Sequence, residues 1–322
     1  MNNFKIIFAT WVLLFISLNY VLAAQNSFAP SSGKTILIVG QDLDTINAYV
    51  KSTGNVPGGT MFYTSIQDMK GLDGPNEYGS GPEDAQALLK DYPNSVVQIG
   101  LYMVDALNNT VAGKHDDNLR KLAQWTKNAN RPVYLRIGYE FDNQDNHYNP
   151  QQYQQAFRYV VDFLRKQGVT NAAFVWHSDC WGEKSNDYWM KWYPGDDYVD
   201  WFGATLFVSP DQFWNGSKFV ELARAHHKPF MIAESTPKEE SLLPGKVSWF
   251  HHMFQFIEEN NIEAFCYINS NWDKTPMFEK DGMGDARVEA IPDIKSLWLN
   301  EISQDRYLKG SSGLFKKLGW SK

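Results

Sequence analysis

The chain has 322 residues, 43% of them hydrophobic, which is enough for one large core or two smaller ones. Its 37 acidic residues outnumber 30 basic ones, and a formal charge of -7 with a pI near 5.5 argues against a nucleic-acid partner and for a neutral polymer. Aromatic residues make up 15% of the chain; most must fill a core, but such faces also stack on the apolar faces of sugar rings.

Residues 1–23, MNNFKIIFATWVLLFISLNYVLA, combine an early lysine with an apolar run, and small residues follow at Ala23 and Ala24. This reads as a secretory signal rather than an anchor, because the run from Ile6 to Ile16 is short for a span of about 20 residues. The mature protein is expected to be exported, with no membrane partner after cleavage.

Beyond Lys34, strand-like and helix-like runs alternate, separated by breakers. Eight strand runs end at Gly40, Ser65, Met103, Glu140, Ser178, Phe207, Glu234 and Asn269. Helical patterns fill 43–51, 82–91, 118–128, 150–166, 218–227, 246–260 and 291–302, and Pro82 and Pro150 suit the first turn of a helix. In the fourth of these, Phe157, Val160, Val161 and Leu164 recur at three- and four-residue spacing, so one face packs inward. The stretch SNDYWMKWYPGDDY supports at best a short helix.

Eight strand–helix units over this length predict an α/β fold, a single (β/α)8 TIM barrel spanning 24–303. VGQDLD follows the first strand where a dinucleotide fold would carry GxGxxG. The segment 304–322 is expected as a loosely docked extension. Cys180 and Cys266 leave pairing open, and no Cys/His cluster has zinc spacing, so neither a metal nor an organic cofactor is expected. The sequons at Asn108 and Asn215 carry little weight.

In such a barrel, acids at the carboxyl ends of strands converge, while acids on helices do not. Glu140 closes the fourth strand run and Glu234 the seventh, and a carboxylate pair suggests glycosidic bond cleavage. Strand alternation places Arg136, Gly138 and Glu140 on one face, and Ile232 and Glu234 on one face. A cation inside an apolar strand needs a partner, so Arg136 is expected to point into the barrel toward a carboxylate. Other strand ends suit a polyhydroxylated ligand: Gln41 and Asp42 after the first, Tyr63 in the second, Tyr139 and Asp142 around the fourth, Trp176 and His177 in the fifth, and Tyr267, Asn269 and Trp272 at the eighth.

Three segments, RPVYLRIGYEFD, YPGDDYVDWFGATLF and KPFMIAEST, resemble glycoside hydrolase family 26 in order and spacing, and the similarity runs over almost the whole mature chain. The resemblance implies a retaining barrel enzyme with Glu140 as general acid/base and Glu234 as nucleophile. The opening VGQDLDTINAYVKSTGNVPGG and the late FCYINSNWD are similar to endo-β-1,3-xylanase members. Tyr139, Thr205 and Phe207 stand where mannanase members carry His, Asp and Tyr, and Asn143 stands where the xylanase group has glycine. Without that tyrosine, Tyr267 is by location a candidate to hydrogen-bond the nucleophile. The expectation is a monomeric endo-β-1,3-xylanase acting on a polysaccharide. The alternatives are a β-mannanase or β-glucanase of the same family, or a non-catalytic carbohydrate-binding barrel.

Overall fold

A computed structural model describes residues 28–207, 211–238 and 243–321; the leader expected at 1–23 lies outside the described residues. Eight parallel strands form the sheet: β1 (Thr35–Gly40), β2 (Gly59–Ser65), β3 (Val96–Tyr102), β4 (Val133–Ile137), β5 (Ala172–Ser178), β6 (Trp201–Leu206), β7 (Phe230–Ser235) and β8 (Ala264–Ile268). Each pairs with the next, and β8 closes on β1 with Ile36 opposite Ala264 and Gly40 opposite Ile268. Helices run between and after the strands: α1 (Leu43–Thr53), α2 (Ala85–Asp91), α3 (Leu107–Val111), α4 (Asp116–Ala129), α5 (Pro150–Lys166), α6 (Asn186–Met190), α7 (Asp211–Ala225), α8 (Leu243–Glu259) and α9 (Pro292–Ile302). The molecule is the (β/α)8 barrel that the alternation of runs implied.

Strand periodicity sorts the core into two layers. Ile36, Ile38, Met61, Tyr134, Val175, Trp201 and Met231 fill the barrel, while Leu37, Val39, Phe62, Leu135, Phe174 and Phe202 pack against the helices. The α5 helix shows how the outer layer forms. Asn149 Oδ1 accepts from the Gln151 and Gln152 amides, Pro150 occupies the first turn, and Phe157, Val160, Val161 and Leu164 are buried on one face. Each such side chain contributes roughly 1.5–3 kcal/mol by leaving water.

Several local expectations are corrected. Pro82 does not open a helix: Pro82–Glu83 pairs antiparallel with Asn76–Glu77, and α2 begins only after Asp84, whose side chain accepts from the Ala87 amide. The helix expected from 218 begins at Asp211. The segment from Gln304 is not loosely docked. Tyr307–Leu308 forms a ninth strand, β9, beside the amino half of β1, and a last helix, α10 (Leu314–Lys317), follows. Leu314 and Leu318 are buried beneath the barrel, and Trp320 packs edge-on against Phe28 at 5.9 Å. The Phe28 carbonyl accepts from the Tyr134 hydroxyl inside the barrel at 2.7 Å, so both ends of the described chain plug its amino-terminal mouth. Cys180 and Cys266 are free and buried. Asn215 is buried, and its amide donates to the Cys180 and Gly182 carbonyls, which leaves that sequon unavailable for modification.

Candidate active site

Neither glutamate sits where simple strand alternation puts it. The β4 strand ends at Ile137, and the chain then turns through Gly138 at φ 54° and Glu140 at φ 50°. A side chain at Gly138 would meet the Tyr153 ring at 3.1 Å as well as the left-handed backbone, so glycine is required there. For Glu140 the same backbone region costs about 1–3 kcal/mol, and the surroundings enforce it. The Phe141 amide donates to the His177 carbonyl at 3.0 Å, and Asn146 Nδ2 donates to the carbonyls of Tyr139 and Glu140 at 3.1 and 2.9 Å. Glu140 is therefore held three residues past its strand, in a turn pinned to β5.

Glu234 is re-aimed by a β-bulge. The β6–β7 register pairs Ala204 with Ile232 but Thr205 with Glu234, so Ala233 is an extra residue with no opposite number. Ile232 faces the helices and Ala233 the barrel interior, and strict alternation would turn Glu234 outward with Ile232. The bulge reverses this parity and brings Glu234 into the cleft, which corrects the shared face expected for Ile232 and Glu234. The Ala233 carbonyl accepts from Gln98 Nε2 at 2.7 Å, which anchors the bulge to β3 across the barrel.

The two acids line one cleft of about 720 Å3 at the carboxyl ends of the strands, together with Gln41, Tyr63, Tyr139 and Trp272. Arg136 is fully buried beneath it and pairs through Nη1 with Glu234 Oε1. Its guanidinium carbon lies 5.1 Å from the Tyr63 ring centre and 5.2 Å from that of Tyr139. Gly100 makes room for this arrangement: a side chain there would meet Tyr63 at 2.4 Å and Arg136 Nη2 at 2.8 Å. Burial works against the Arg136 charge, but Glu234 and Tyr63 outweigh it and hold the guanidinium protonated.

Glu140 is half-buried and accepts from Thr205 Oγ1 through Oε1 at 2.6 Å and from Asn143 Nδ2 through Oε2 at 3.2 Å. Burial, and then the charge of Glu234, push its carboxyl up to about 7, against the smaller opposing effects of Thr205, Asn143 and Arg136. His177, fully buried, joins the two carboxylates' partners: Nε2 is 2.9 Å from Thr205 Oγ1 and Nδ1 is 3.3 Å from Arg136 Nη1. Burial and then Arg136 hold His177 well below its ordinary value, so it is neutral.

Besides Arg136 and His177, which are buried beneath it, five residues expected to contact a ligand do not line this cleft. Asp42 caps α1, its side chain accepting from the Thr45 amide at 3.0 Å. Asp142 is buried; it accepts from the Ser178 hydroxyl at 2.8 Å and the Asp179 amide at 2.9 Å, and pairs with Lys184 at 3.3 Å. Trp176 has outward parity and stacks on Phe141 at 4.6 Å in the layer beneath the helices. Tyr267 also points outward, against Trp298 at 4.9 Å, and its hydroxyl donates to the Ala286 carbonyl, so it does not serve Glu234. Asn269 accepts from the Val288 amide at 2.8 Å and donates to Glu289 at 3.1 Å, which organises the loop ahead of α9. Of the rest, Gln41 Nε2 donates to the Ser80 carbonyl at 3.3 Å, and Trp272 Nε1 donates to Thr236 Oγ1 at 3.1 Å.

The contacts of Thr205, Gln98 and Asn143 with the site were not foreseen. Parity favoured His177 over Trp176, because Val175 and Trp201 fill the barrel and alternate with outward neighbours. The same parity marks Thr205, which alternates with the outward Ala204 and Leu206 and shares the inward face of Trp201. Phe207, Lys238 and Phe278 also line the cleft, from loops that follow three different strands.

A parallel barrel that gathers two carboxylates at its carboxyl mouth, one ion-paired and one with a raised proton affinity, defines a glycoside hydrolase. The comparisons agree, and the chain belongs to glycosyl hydrolase family 26: that family's model matches residues 102–277, more than half of the chain. A beta-1,3-xylanase from Alcaligenes sp is 31% identical over 92% of this chain and 69% of its own length. Beta-1,3-xylanase TXYA from Vibrio sp is 31% identical over 92% of this chain and 71% of its own length. The modular endo-beta-1,4-mannanase of Cellulomonas fimi shares the fold with a TM-score of 0.66 at 18% identity, covering 91% of this chain and 76% of its own. Among the described residues, no helix is long and apolar enough to cross a membrane, and no group of three or more His, Cys, Asp or Glu side chains is placed to hold a metal ion.

Proposed function

We propose that this chain is an exported, retaining endo-glycosidase of β-1,3-xylan, acting by double displacement with Glu234 as nucleophile and Glu140 as acid/base. The observation that carries the mechanism is the unequal setting of the two acids. Glu234 is paired with the cation of a buried Arg136, whereas Glu140 has its carboxyl pushed up to about 7 and can hold a proton. In the first step Glu234 forms a bond to the anomeric carbon while Glu140 gives its proton to the departing glycosidic oxygen. In the second, Glu140 takes a proton from water, whose oxygen replaces Glu234 at that carbon. Gln41, Tyr63, Tyr139 and Trp272 present aromatic faces and amides to the sugar.

The choice of β-1,3-xylan is supported by the two beta-1,3-xylanases that are 31% identical over 92% of the chain. Reducing-sugar release from β-1,3-xylan, β-1,4-xylan, mannan and β-glucan tests it, with the fastest hydrolysis expected on β-1,3-xylan. Preference for mannan or glucan would overturn the substrate, and inactivity on all four would overturn the whole reading.

The acid role also has a pH signature. The proton lost from Glu140 is the one the leaving oxygen needs, so kcat/KM should fall on the alkaline side with a midpoint near pH 7. Esterification of Glu234 removes the negative charge that favours protonated Glu140, so in a trapped 2-fluoroglycosyl-enzyme Glu140 should titrate at lower pH. Carbon-detected NMR of labelled glutamate measures both states. Equal midpoints would contradict the assignment.

A further inference from the structure

We infer that Thr205 is a positioning residue for Glu140, holding Oε1 as a hydrogen-bond acceptor and thereby assigning the transferable proton to Oε2. The inference rests on the reading of Glu140 as acid/base and deepens it.

The direction of each hydrogen bond follows from one end of the chain. Arg136 has only donors, so His177 Nδ1, 3.3 Å from Arg136 Nη1, must offer a lone pair. A neutral imidazole that accepts at Nδ1 carries its hydrogen on Nε2. That hydrogen points to Thr205 Oγ1 at 2.9 Å, which accepts it. The single hydroxyl hydrogen of Thr205 is then free for one acceptor, Glu140 Oε1 at 2.6 Å. The reverse polarity, in which Oε1 is protonated and Thr205 Oγ1 accepts from both Oε1 and His177 Nε2, would leave the buried Thr205 hydroxyl hydrogen without an acceptor among the described residues. Oε1 therefore accepts whether Glu140 is charged or neutral, and the acidic proton resides on Oε2, beside Asn143 Nδ2 at 3.2 Å.

The bulge sets one end of this device. Thr205 faces inward by ordinary alternation with Ala204 and Leu206, and the extra Ala233 on β7 turns Glu234 to that same side. Arg136 binds Glu234 through Nη1 and starts the chain to Glu140 through the same nitrogen, so one buried cation orients both carboxylates. Thr205 and His177 are buried, 2% and 0% exposed, so water does not substitute for either.

The test compares Thr205→Val and Thr205→Ser on two substrates: the polysaccharide, whose leaving alcohol must be protonated, and a 2,4-dinitrophenyl glycoside of the same sugar, whose phenolate departs without a proton. Thr205→Val should lose roughly 10- to 100-fold in kcat/KM on the polysaccharide and less than about threefold on the activated glycoside, since general acid catalysis contributes about 10²–10⁴-fold overall. Thr205→Ser, which keeps the hydroxyl, should stay within about threefold of the parent on both, rescuing the defect. Equal losses on the two substrates, or no loss on the polysaccharide, would overturn the inference. Glu140→Ala is the control. If it shows the leaving-group split and Thr205→Val does not, Thr205 alone is misassigned; if it does not, the acid/base reading falls and the inference with it.

Discussion

Glu234→Ala should lower kcat on polysaccharide by about five orders of magnitude, since loss of an enzymatic nucleophile removes on the order of 7 kcal/mol of transition-state stabilisation. The fold should survive at reduced stability, because Arg136 is left without its carboxylate while Glu234 borders an open cleft where water can fill the gap. Arg136 then lacks its carboxylate, and an added small anion has a ready place beside it. Sodium azide with an activated aryl β-glycoside should therefore restore turnover and yield a glycosyl azide of inverted, α configuration, because the azide attacks from the face that Glu234 occupied. Proton NMR of the product reads the anomeric configuration. Azide rescue of Glu140→Ala should give the β product instead, through an intact glycosyl-enzyme. A Glu234→Ala protein that retains more than a tenth of the activity would exclude the proposed nucleophile.

Arg136→Met should be the most destabilising substitution at the site. Removing one member of a buried ion pair typically costs about 3–5 kcal/mol, because the remaining charge is left uncompensated. Here Glu234 would lose its Nη1 partner, while Met61, whose sulfur lies 3.1 Å from Nη2, and the rings of Tyr63 and Tyr139 would lose their cation. Activity should fall by about 10²–10³-fold, the range seen when a preorganised charge partner is lost. Adding Glu234→Gln should return much of the stability and none of the activity, because the pair is coupled and a neutral amide needs no counter-charge. Urea unfolding of the two single variants and the double variant measures that coupling. Full stability in Arg136→Met alone would show that the ion pair does not hold the barrel floor together.

Much of the architecture was legible because barrel strands and their helices carry different hydrophobic periods. Val133, Leu135 and Ile137 alternate with Tyr134 and Arg136, and the buried face of α5 repeats at helical spacing, so the units could be counted along the chain. The same logic identified Arg136 as a buried cation in need of an anion. It failed where side chains were chosen by type rather than parity. Trp176 and Tyr267 were assigned to the cleft for their aromatic faces, yet both point to the helix layer, where large rings fill the gap between sheet and helices. Asp42 and Asp142 have the right chemistry at the right strand ends, but capping α1 and fixing the loop after β5 occupy their oxygens.

By itself the sequence determined the barrel, the position of each acid near a strand end, and the buried cation between them, because these depend on local period and composition. The facing of both acids was decided by the tertiary structure. Glu140 reaches the cleft through a left-handed turn that β5 pins in place, and Glu234 through a bulge whose freed carbonyl is caught by Gln98 from across the barrel. Each device depends on partners 36 to 135 positions away in the chain, such as Gln98 and Ala233 at a separation of 135. A one-residue change of register reverses which face a side chain takes, and only the closed barrel supplies the contacts that select it.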